Sequence, residues 1–223
     1  MDLKEAIKKR HSVRQYNHKR IEGEIEENLR LMIESCNKES GLNIQLCLNE
    51  EKAFSEGILA KMTSFKNVKN YIAIMGNRSE DLSEKIGYYG EKIVLKATQL
   101  GLNTCWAASG YKKSKISVKI PDGEKLFIVI AIGYGINDGS SRKTKPIEKL
   151  ANITDDSPEW FINGLKCVQL APTARNQQRF KFILSGNIVE AKALFGFLTK
   201  IDLGIAKYHF EIGADSNEWS WKT

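Results

Sequence analysis

The stretch R-H-S-V-R-Q-Y, residues 10–16, and the stretch A-P-T-A-R-N-Q-Q, residues 171–178, decide the fold of this 223-residue chain. The first collects two guanidiniums, an imidazole and a hydroxyl directly after a predicted helix. Because arginine offers a planar fork of donors that matches a phosphate, this stretch is a candidate phosphate clamp. Taken alone, it is more typical of an exposed basic turn.

The second stretch follows one predicted helix and leads into a strand, so it is a connecting loop of the kind that carries binding residues. Pro172 stiffens it, Thr173 supplies a hydroxyl, and Asn176 and Gln177 supply amides that both donate and accept hydrogen bonds. A polar loop in which the asparagine caps its own backbone is the alternative interpretation.

Composition indicates a globular protein with a well-buried core, because 42% of the residues are hydrophobic and 27% are charged. No apolar run approaches the roughly 20 residues that a membrane span needs, and the first residues lack the apolar core of a secretory signal. We therefore expect a cytoplasmic protein without a membrane partner. The net charge of +7 comes from lysines dispersed along the chain. Dispersed lysines favour a solvated surface, and nucleic-acid binding is the least favoured functional hypothesis that we keep.

Cysteine and histidine spacing predicts no metal site. The four cysteines form no CxxC pair and have no histidine at metal-ligand spacing, so we expect reduced, mostly buried thiols, with Cys105 a packing residue rather than a redox thiol. His18 and His209 are expected on the surface or in the core. Trp219 and Trp221 are expected to anchor the C-terminal tail, and covering a cofactor or substrate pocket is their alternative role.

Hydrophobic periodicity predicts an α+β fold with a central mixed sheet wrapped by helices, because helices and strands follow one another without regular βαβ alternation. The apolar run Leu126–Ile132 is the strongest strand and belongs at the centre of a sheet covered on both faces. The predicted helices cover residues 2–10, 25–36, 82–100, 113–118, 158–170, 187–198 and 202–212, and the predicted strands cover 43–48, 71–76, 104–108, 126–132 and 180–184.

A weak internal repeat is also present. The segment G-E-K-I-V-L-K-A-T-Q-L-G from Gly90 is echoed by G-I-A-K-Y-H-F-E-I-G from Gly204, and a tryptophan follows each at a similar offset, Trp106 and Trp219. We interpret this as a duplication that makes the chain a fused, imperfect dimer, with residues 1–150 as one half and 151–223 as a second, truncated half of one compact unit. A chance match between two amphipathic helices is the alternative.

Together the two stretches resemble the signature of the nitroreductase family of FMN-dependent oxidoreductases. That signature opens with R-[RH]-S-x-[RK]-x-[FY], which is intact here, and continues with A-P-S-x-x-N-x-Q-P-W before a strand. In this chain Thr173 replaces the serine, Arg179 the proline and Phe180 the tryptophan. The segment G-L-N-T-C-W, residues 101–106, is similar to a third family segment. The resemblance covers nearly the whole chain.

The resemblance implies an FMN site in which the flavin itself carries the hydride and no side chain is assigned as catalytic. The first motif would contact the phosphate, the ribityl chain and the pyrimidine side of the ring, with Arg14 tuning the flavin potential. A late basic stretch would complete the phosphate cage, and backbone amides after residue 108 would face the flavin N5. The residues implied are Arg10, His11, Ser12, Arg14, Ser109, Gly110, Arg142, Lys143, Lys145, Pro172, Thr173 and Asn176.

One departure from the family pattern predicts the stoichiometry. In the family the A-P-S-x-x-N-x-Q loop lies soon after the first motif and is supplied by the partner subunit, but here residues 37–42 have lost it and the intact loop lies in the second half. The chain therefore resembles a branch in which one chain mimics the dimer, and the parts suffice for one FMN per monomer. The implied activity is electron transfer from NADH or NADPH to a nitro, quinone or similar small-molecule acceptor. A flavin-binding or redox-sensing protein without turnover is the alternative.

Overall fold

The computed structural model describes residues 1–54 and 63–222, and these form six α-helices and seven β-strands. The helices are α1 (Leu3–Lys9), α2 (Glu24–Ser40), α3 (Leu82–Gln99), α4 (Ile147–Leu150), α5 (Glu159–Val168) and α6 (Thr199–Ala214). The strands are β1 (Asn43–Cys47), β2 (Tyr71–Gly76), β3 (Asn103–Ala107), β4 (Lys125–Gly133), β5 (Phe180–Ser185), β6 (Ile188–Ala193) and β7 (Ser220–Trp221).

The chain divides into two compact units. Residues Lys9–Leu82 and Ile93–Ser141 form one, which we call the four-stranded unit, and Met1–Lys8, Ser83–Lys92 and Arg142–Thr223 form the other, the three-stranded unit. The sequence halves 1–150 and 151–223 are a different division of the chain. That these two halves arose by duplication stays a prediction, because a division into compact units does not show how the halves arose.

The four-stranded unit is built on an antiparallel sheet of order β1-β2-β4-β3. Every residue of β2 is buried, as are the last six residues of β4, so the two central strands are covered on both faces. This confirms the prediction that the apolar run 126–132 lies at the centre of a sheet. Helix α2 ends at Gly41, whose φ of 71° is the left-handed conformation that glycine adopts without strain.

The three-stranded unit is built on the sheet β5-β6-β7, in which β5 and β6 are antiparallel and β6 and β7 are parallel. Helix α6 crosses the first half of α3 at close range, because a Cβ on Gly87 would overlap the carbonyl oxygen of Ile201 and a Cβ on Gly204 would overlap that of Glu84. Glycine at both positions therefore lets the two helix backbones touch.

An aromatic cluster fills the core of the three-stranded unit around the fully buried Phe210. The ring of Phe210 lies 5.0 Å from Trp219, 5.4 Å from Trp221 and 5.2 Å from Phe182, measured between ring centroids. Trp219 is also stacked with Trp160 at 5.9 Å. These contacts confirm that the two C-terminal tryptophans anchor the tail.

Three sequence predictions about the fold are wrong. The predicted helix 187–198 is instead strand β6 followed by an irregular segment, and the strand forms because the turn at Gly186, with φ of 58°, folds it back onto β5. The single central mixed sheet is instead two sheets, a larger antiparallel one and a smaller mixed one. The helix predicted over 113–118 is only a 3₁₀ turn over Lys113–Lys115.

The α+β class itself is confirmed. Within the described part of the chain, none of the helices has both the length and the apolar character that crossing a membrane requires. Residues 1–54 and 63–222 likewise contain no group of three histidine, cysteine or acidic side chains arranged to hold a metal ion.

Candidate functional site

The predicted phosphate clamp is an extended strand in the four-stranded unit. Ser12 pairs with Thr104 of β3 in a parallel bridge, and the Val13 amide donates to the Thr104 carbonyl at 3.0 Å. On the other side the Lys66 amide donates to the Arg14 carbonyl at 2.9 Å. Val13 is 1% exposed and anchors this segment in the core, whereas the next residue, Arg14, is exposed.

Tyr16 ends this strand as a second anchor. Its hydroxyl, 2.6 Å from the Val13 carbonyl and 3.3 Å from that of Ala131, ties the end of the motif to its middle and to β4. Burial raises the pKa of the Tyr16 phenol well above its usual value, so the group stays a hydrogen-bond donor. The aromatic residue of the motif is therefore structural, and it fixes the backbone that carries the cations.

A polar cavity of about 80 Å³ opens beside the start of the motif. Three cationic or ionisable side chains line it together, and the turn after α3 closes its far side. Arg10, the innermost of the three, is 4% exposed, whereas Arg14 lies on the surface. The lining residues are Lys9, Arg10, His11, Thr98, Gly101, Leu102, Asn103, Thr104 and Asp138. The donors suit an anion the size of a phosphate group, and Asp138 is the one carboxylate among them.

Ser109 and Gly110 follow the end of β3 in the same unit. Gly110 is buried and has a φ of 93°, a backbone conformation that residues other than glycine rarely adopt. Ser109 is exposed. Within β3, burial raises the pKa of the Cys105 thiol, so it stays protonated. This agrees with the expectation that Cys105 is a packing residue.

The remaining predicted residues lie in the three-stranded unit, where the late basic stretch runs beside the A-P-T-A-R-N-Q-Q loop. The Asn176 amide donates to the Lys143 carbonyl at 2.9 Å. The Lys145 ammonium donates to the Gln178 carbonyl at 2.9 Å, and the Lys145 backbone amide donates to the Gln178 side chain at 2.8 Å. Arg142 donates to the carbonyl of Leu170. Two segments that the sequence predicted to serve one site are thus fastened to each other.

These contacts use some of the hydrogen-bonding groups that the sequence analysis assigned to a ligand. Asn176 uses one amide hydrogen on Lys143, and Lys145 uses one of its three ammonium hydrogens on Gln178. The Thr173 hydroxyl oxygen accepts from the Gln178 amide at 3.2 Å and keeps its own proton for another acceptor. Pro172 is buried at the base of the loop. The side chains that still face outward are those of Lys143 and Asn176, both exposed.

Sequence reasoning missed two residues that hold this loop. Gln178 is 3% exposed and joins residues 143–145 to the loop. The family signature contains this glutamine, so the sequence could have indicated that it matters. Asp202, 2% exposed, accepts from the Ala174 amide and the Gln177 side chain at 2.9 Å each. Nothing near Asp202 in the sequence marks it, because its partners lie 25 to 28 positions away.

Two histidines lie in the environments that the sequence predicts, and residues 37–42 have a structural role. His18 is exposed and His209 is fully buried, as expected for a surface and a core residue. Residues 37–42, where the family places its second motif, form the end of α2 and the turn after it. There the Asn37 side chain pairs with the backbone of Ile44 at 2.8 and 3.0 Å, so it supports the start of β1.

Comparison with known proteins agrees with this arrangement. The family model described as "Putative TM nitroreductase" matches residues 2–214. A solved structure of a putative nitroreductase from Thermotoga maritima is 22% identical with a TM-score of 0.71, and the match covers 96% of this chain and 83% of that one. Among curated proteins there is no match.

Two further similar structures were solved in complex with FMN. The putative nitroreductase of Desulfovibrio desulfuricans is 18% identical, with a TM-score of 0.54 over 71% of this chain and 99% of that one. That of Exiguobacterium sibiricum is 15% identical, with a TM-score of 0.53 over 67% and 95%. The TM-scores of these three structures show a shared fold. The match of the family model to nearly the whole length shows more: the chain belongs to the nitroreductase family that this model describes.

Proposed function

We propose that the protein is an FMN-dependent oxidoreductase that takes electrons from NADH or NADPH and passes them to a nitro, quinone or similar small-molecule acceptor. The observation that carries the proposal is the cavity of about 80 Å³ lined by Lys9, Arg10 and His11, directly at the family's phosphate-binding motif. Membership of the nitroreductase family and the FMN complexes of two similar structures support it.

The residues present fit FMN. In the four-stranded unit, Arg10 offers a charged donor for the phosphate, His11 a ring nitrogen and Ser12 a hydroxyl on the adjoining segment. In the three-stranded unit, the Thr173 hydroxyl, the outer hydrogen of the Asn176 amide and the cations of residues 142–145 are further donors. We propose that the chain binds one FMN and that the protein acts as a monomer without nucleic acid.

When bound, FMN supplies the hydride chemistry, so the protein needs no nucleophile of its own. Its residues bind and orient the cofactor and tune its potential. Arg14, exposed and fixed by the Lys66 hydrogen bond to its carbonyl, is the cation we assign to the pyrimidine side of the ring, where it stabilises the anionic reduced flavin. The backbone amides of Ser109 and Gly110 are assigned to the flavin N5.

The test is an absorption spectrum of the purified protein, with released flavin quantified per chain. We expect one FMN per chain, bleaching on anaerobic addition of NADH or NADPH, and recovery on addition of a nitroaromatic or a quinone. Purified protein that is colourless and does not bind added FMN contradicts the proposal. Reduction without repeated turnover across an acceptor panel supports the alternative of a flavin-binding or redox-sensing protein.

A matched pair of variants tests the clamp itself. We expect Arg14→Gln to weaken FMN binding by about tenfold or more, because a charge-assisted hydrogen bond is lost without disturbing the core. Arg20→Gln changes an exposed arginine just outside the motif and should leave binding unchanged. Equal affinities in the two variants would remove Arg14 from the site.

A further inference from the structure

Asp202 carries a buried carboxylate that the proposed chemistry does not use. It lies in the first turn of α6 and is 2% exposed. One carboxylate oxygen accepts from the Ala174 backbone amide and the other from the Gln177 side-chain amide, each at 2.9 Å. The same Gln177 amide nitrogen lies 2.5 Å from the Phe197 carbonyl. Asp202 therefore connects α6 to the loop that carries Thr173 and Asn176.

The loop needs such a connection because its backbone is strained. Arg175 and Asn176 both have φ of 53°, the left-handed conformation that costs free energy for residues other than glycine. Gln178, with φ of 45°, adds a third. The Lys143 carbonyl holds one side of this turn through Asn176, and Asp202 holds the other side through Ala174.

Both partners of Asp202 are donors, and this decides which form of the side chain they require. An ionised carboxylate only accepts, so it satisfies both groups at once. An asparagine at this position has one accepting oxygen and one NH2 group that only donates, so it can satisfy only one of the two groups. The carboxylate is therefore the side chain that holds both.

We propose that Asp202 is a positioning residue whose ionised carboxylate holds the turn 174–176 in the conformation that presents Thr173 and Asn176 to the flavin. The hold on the loop stands on the geometry of this unit alone, whereas the consequence for the flavin rests on the proposed function.

The carboxylate is ionised above neutral pH, although burial raises the pKa of Asp202 to about 6 against the opposing effect of its two hydrogen bonds. The cations of the neighbouring segments are engaged elsewhere: Arg175 stacks on the Phe197 ring at 5.5 Å, and Arg179 donates to the Phe195 carbonyl at 2.8 Å. On α6 itself, Lys200 is exposed. Ala174 and Gln177, which act on the carboxylate, are both uncharged.

The first experiment needs no cofactor. Hydrogen exchange of the Ala174 amide in the apoprotein at pH 7.5, expressed as a protection factor, should lose protection by about tenfold or more in Asp202→Asn relative to the wild type. Asp215→Asn, at an exposed aspartate just after the same helix, is the control and should follow the wild type. Equal protection of Ala174 in Asp202→Asn and in the wild type would overturn the proposal.

The second experiment measures the affinity for FMN at pH 7.5. We expect the dissociation constant of Asp202→Asn to be about tenfold above that of the wild type and that of Asp215→Asn to be unchanged. If neither the wild type nor the variants bind FMN but the exchange result holds, the proposed function fails and the positioning role survives. If Asp202→Asn binds FMN like the wild type, the positioning role fails and the flavin site stands.

Discussion

Substitution of Gly164 by alanine tests the packing of α5 against α6. A Cβ at this position would lie 2.5, 2.7 and 3.0 Å from three carbon atoms of the Phe210 ring. Carbon atoms in contact sit about 3.5 to 4.0 Å apart, so the ring would have to move by about 1 Å. The ring is fully buried among other aromatic rings and has no room to do so. Overpacking of this kind costs about 1–3 kcal/mol, which exceeds the gain of roughly 0.5–1 kcal/mol that alanine brings to a helix.

We therefore expect Gly164→Ala to lower the free energy of unfolding by about 1–2 kcal/mol, measured by urea denaturation and followed by tryptophan fluorescence. The control is the same substitution in a Phe210→Leu background. Leucine lacks the ring atoms concerned, so there Gly164→Ala should cost nothing or stabilise. A stabilising effect in the wild-type background, or an equal cost in both backgrounds, refutes the steric argument, because a double-mutant cycle isolates the pairwise contact.

Three further predictions concern buried polar groups. His209→Ala should cost about 3–5 kcal/mol of unfolding free energy by chemical denaturation, because it breaks the fully buried contact with Glu91 at 3.0 Å; a loss below 1 kcal/mol would contradict it. Burial raises the pKa of Asp202 from 3.8 to about 6, so the folded state binds a proton at this carboxylate more tightly than the unfolded state does. Through Asp202, the free energy of unfolding should therefore rise by about 3 kcal/mol as the pH falls from above 6 to below 4. In Asp202→Asn that pH slope should disappear, as comparison of denaturation curves across this range will show. Tyr16→Phe should cost about 1–2 kcal/mol in the same denaturation assay, since the Val13 carbonyl loses a hydrogen bond, and an unchanged midpoint would contradict this.

The sequence predicted those elements whose own residues specify them. The apolar run 126–132 has no polar face to expose, so only a sheet centre suits it, and β4 lies there. Helix α3 was predicted over 82–100 and spans Leu82–Gln99, because its apolar positions recur at helical spacing and Gly101 follows. In both cases local pattern and final environment agree.

The region 187–198 shows where local pattern misleads. Its alanine, glutamate and lysine residues favour a helix in isolation, yet pairing with β5 makes residues 188–193 a strand. The Gly186-Asn187 pair between two short runs was the signal that favours a hairpin. Pairing of strands is a tertiary interaction, and here it overrides the weak helix propensity of six residues.

For the candidate site, the sequence supplied the candidate binding residues, and their supports came only from the structure. The motif at residues 10–16 was recognisable because it matches the opening of a family signature, with particular side chains in a fixed order. Asp202 was not, because its role arises from a contact across 28 positions and any helix can begin with an aspartate. The predicted cations Lys143 and Lys145 were found for their charge, but backbone groups of both residues also join them to the loop.

The strand formed by residues 10–16 also protects the protein from aggregation. Strand β3 is at the edge of its sheet, and an uncovered edge offers unpaired amides and carbonyls to any other extended chain. The bridge between Ser12 and Thr104, with the hydrogen bond from Val13, occupies part of that edge. Variants that detach this strand should therefore be lost first as insoluble protein during expression. Their apparent loss of activity will reflect solubility unless the soluble fraction is measured alongside.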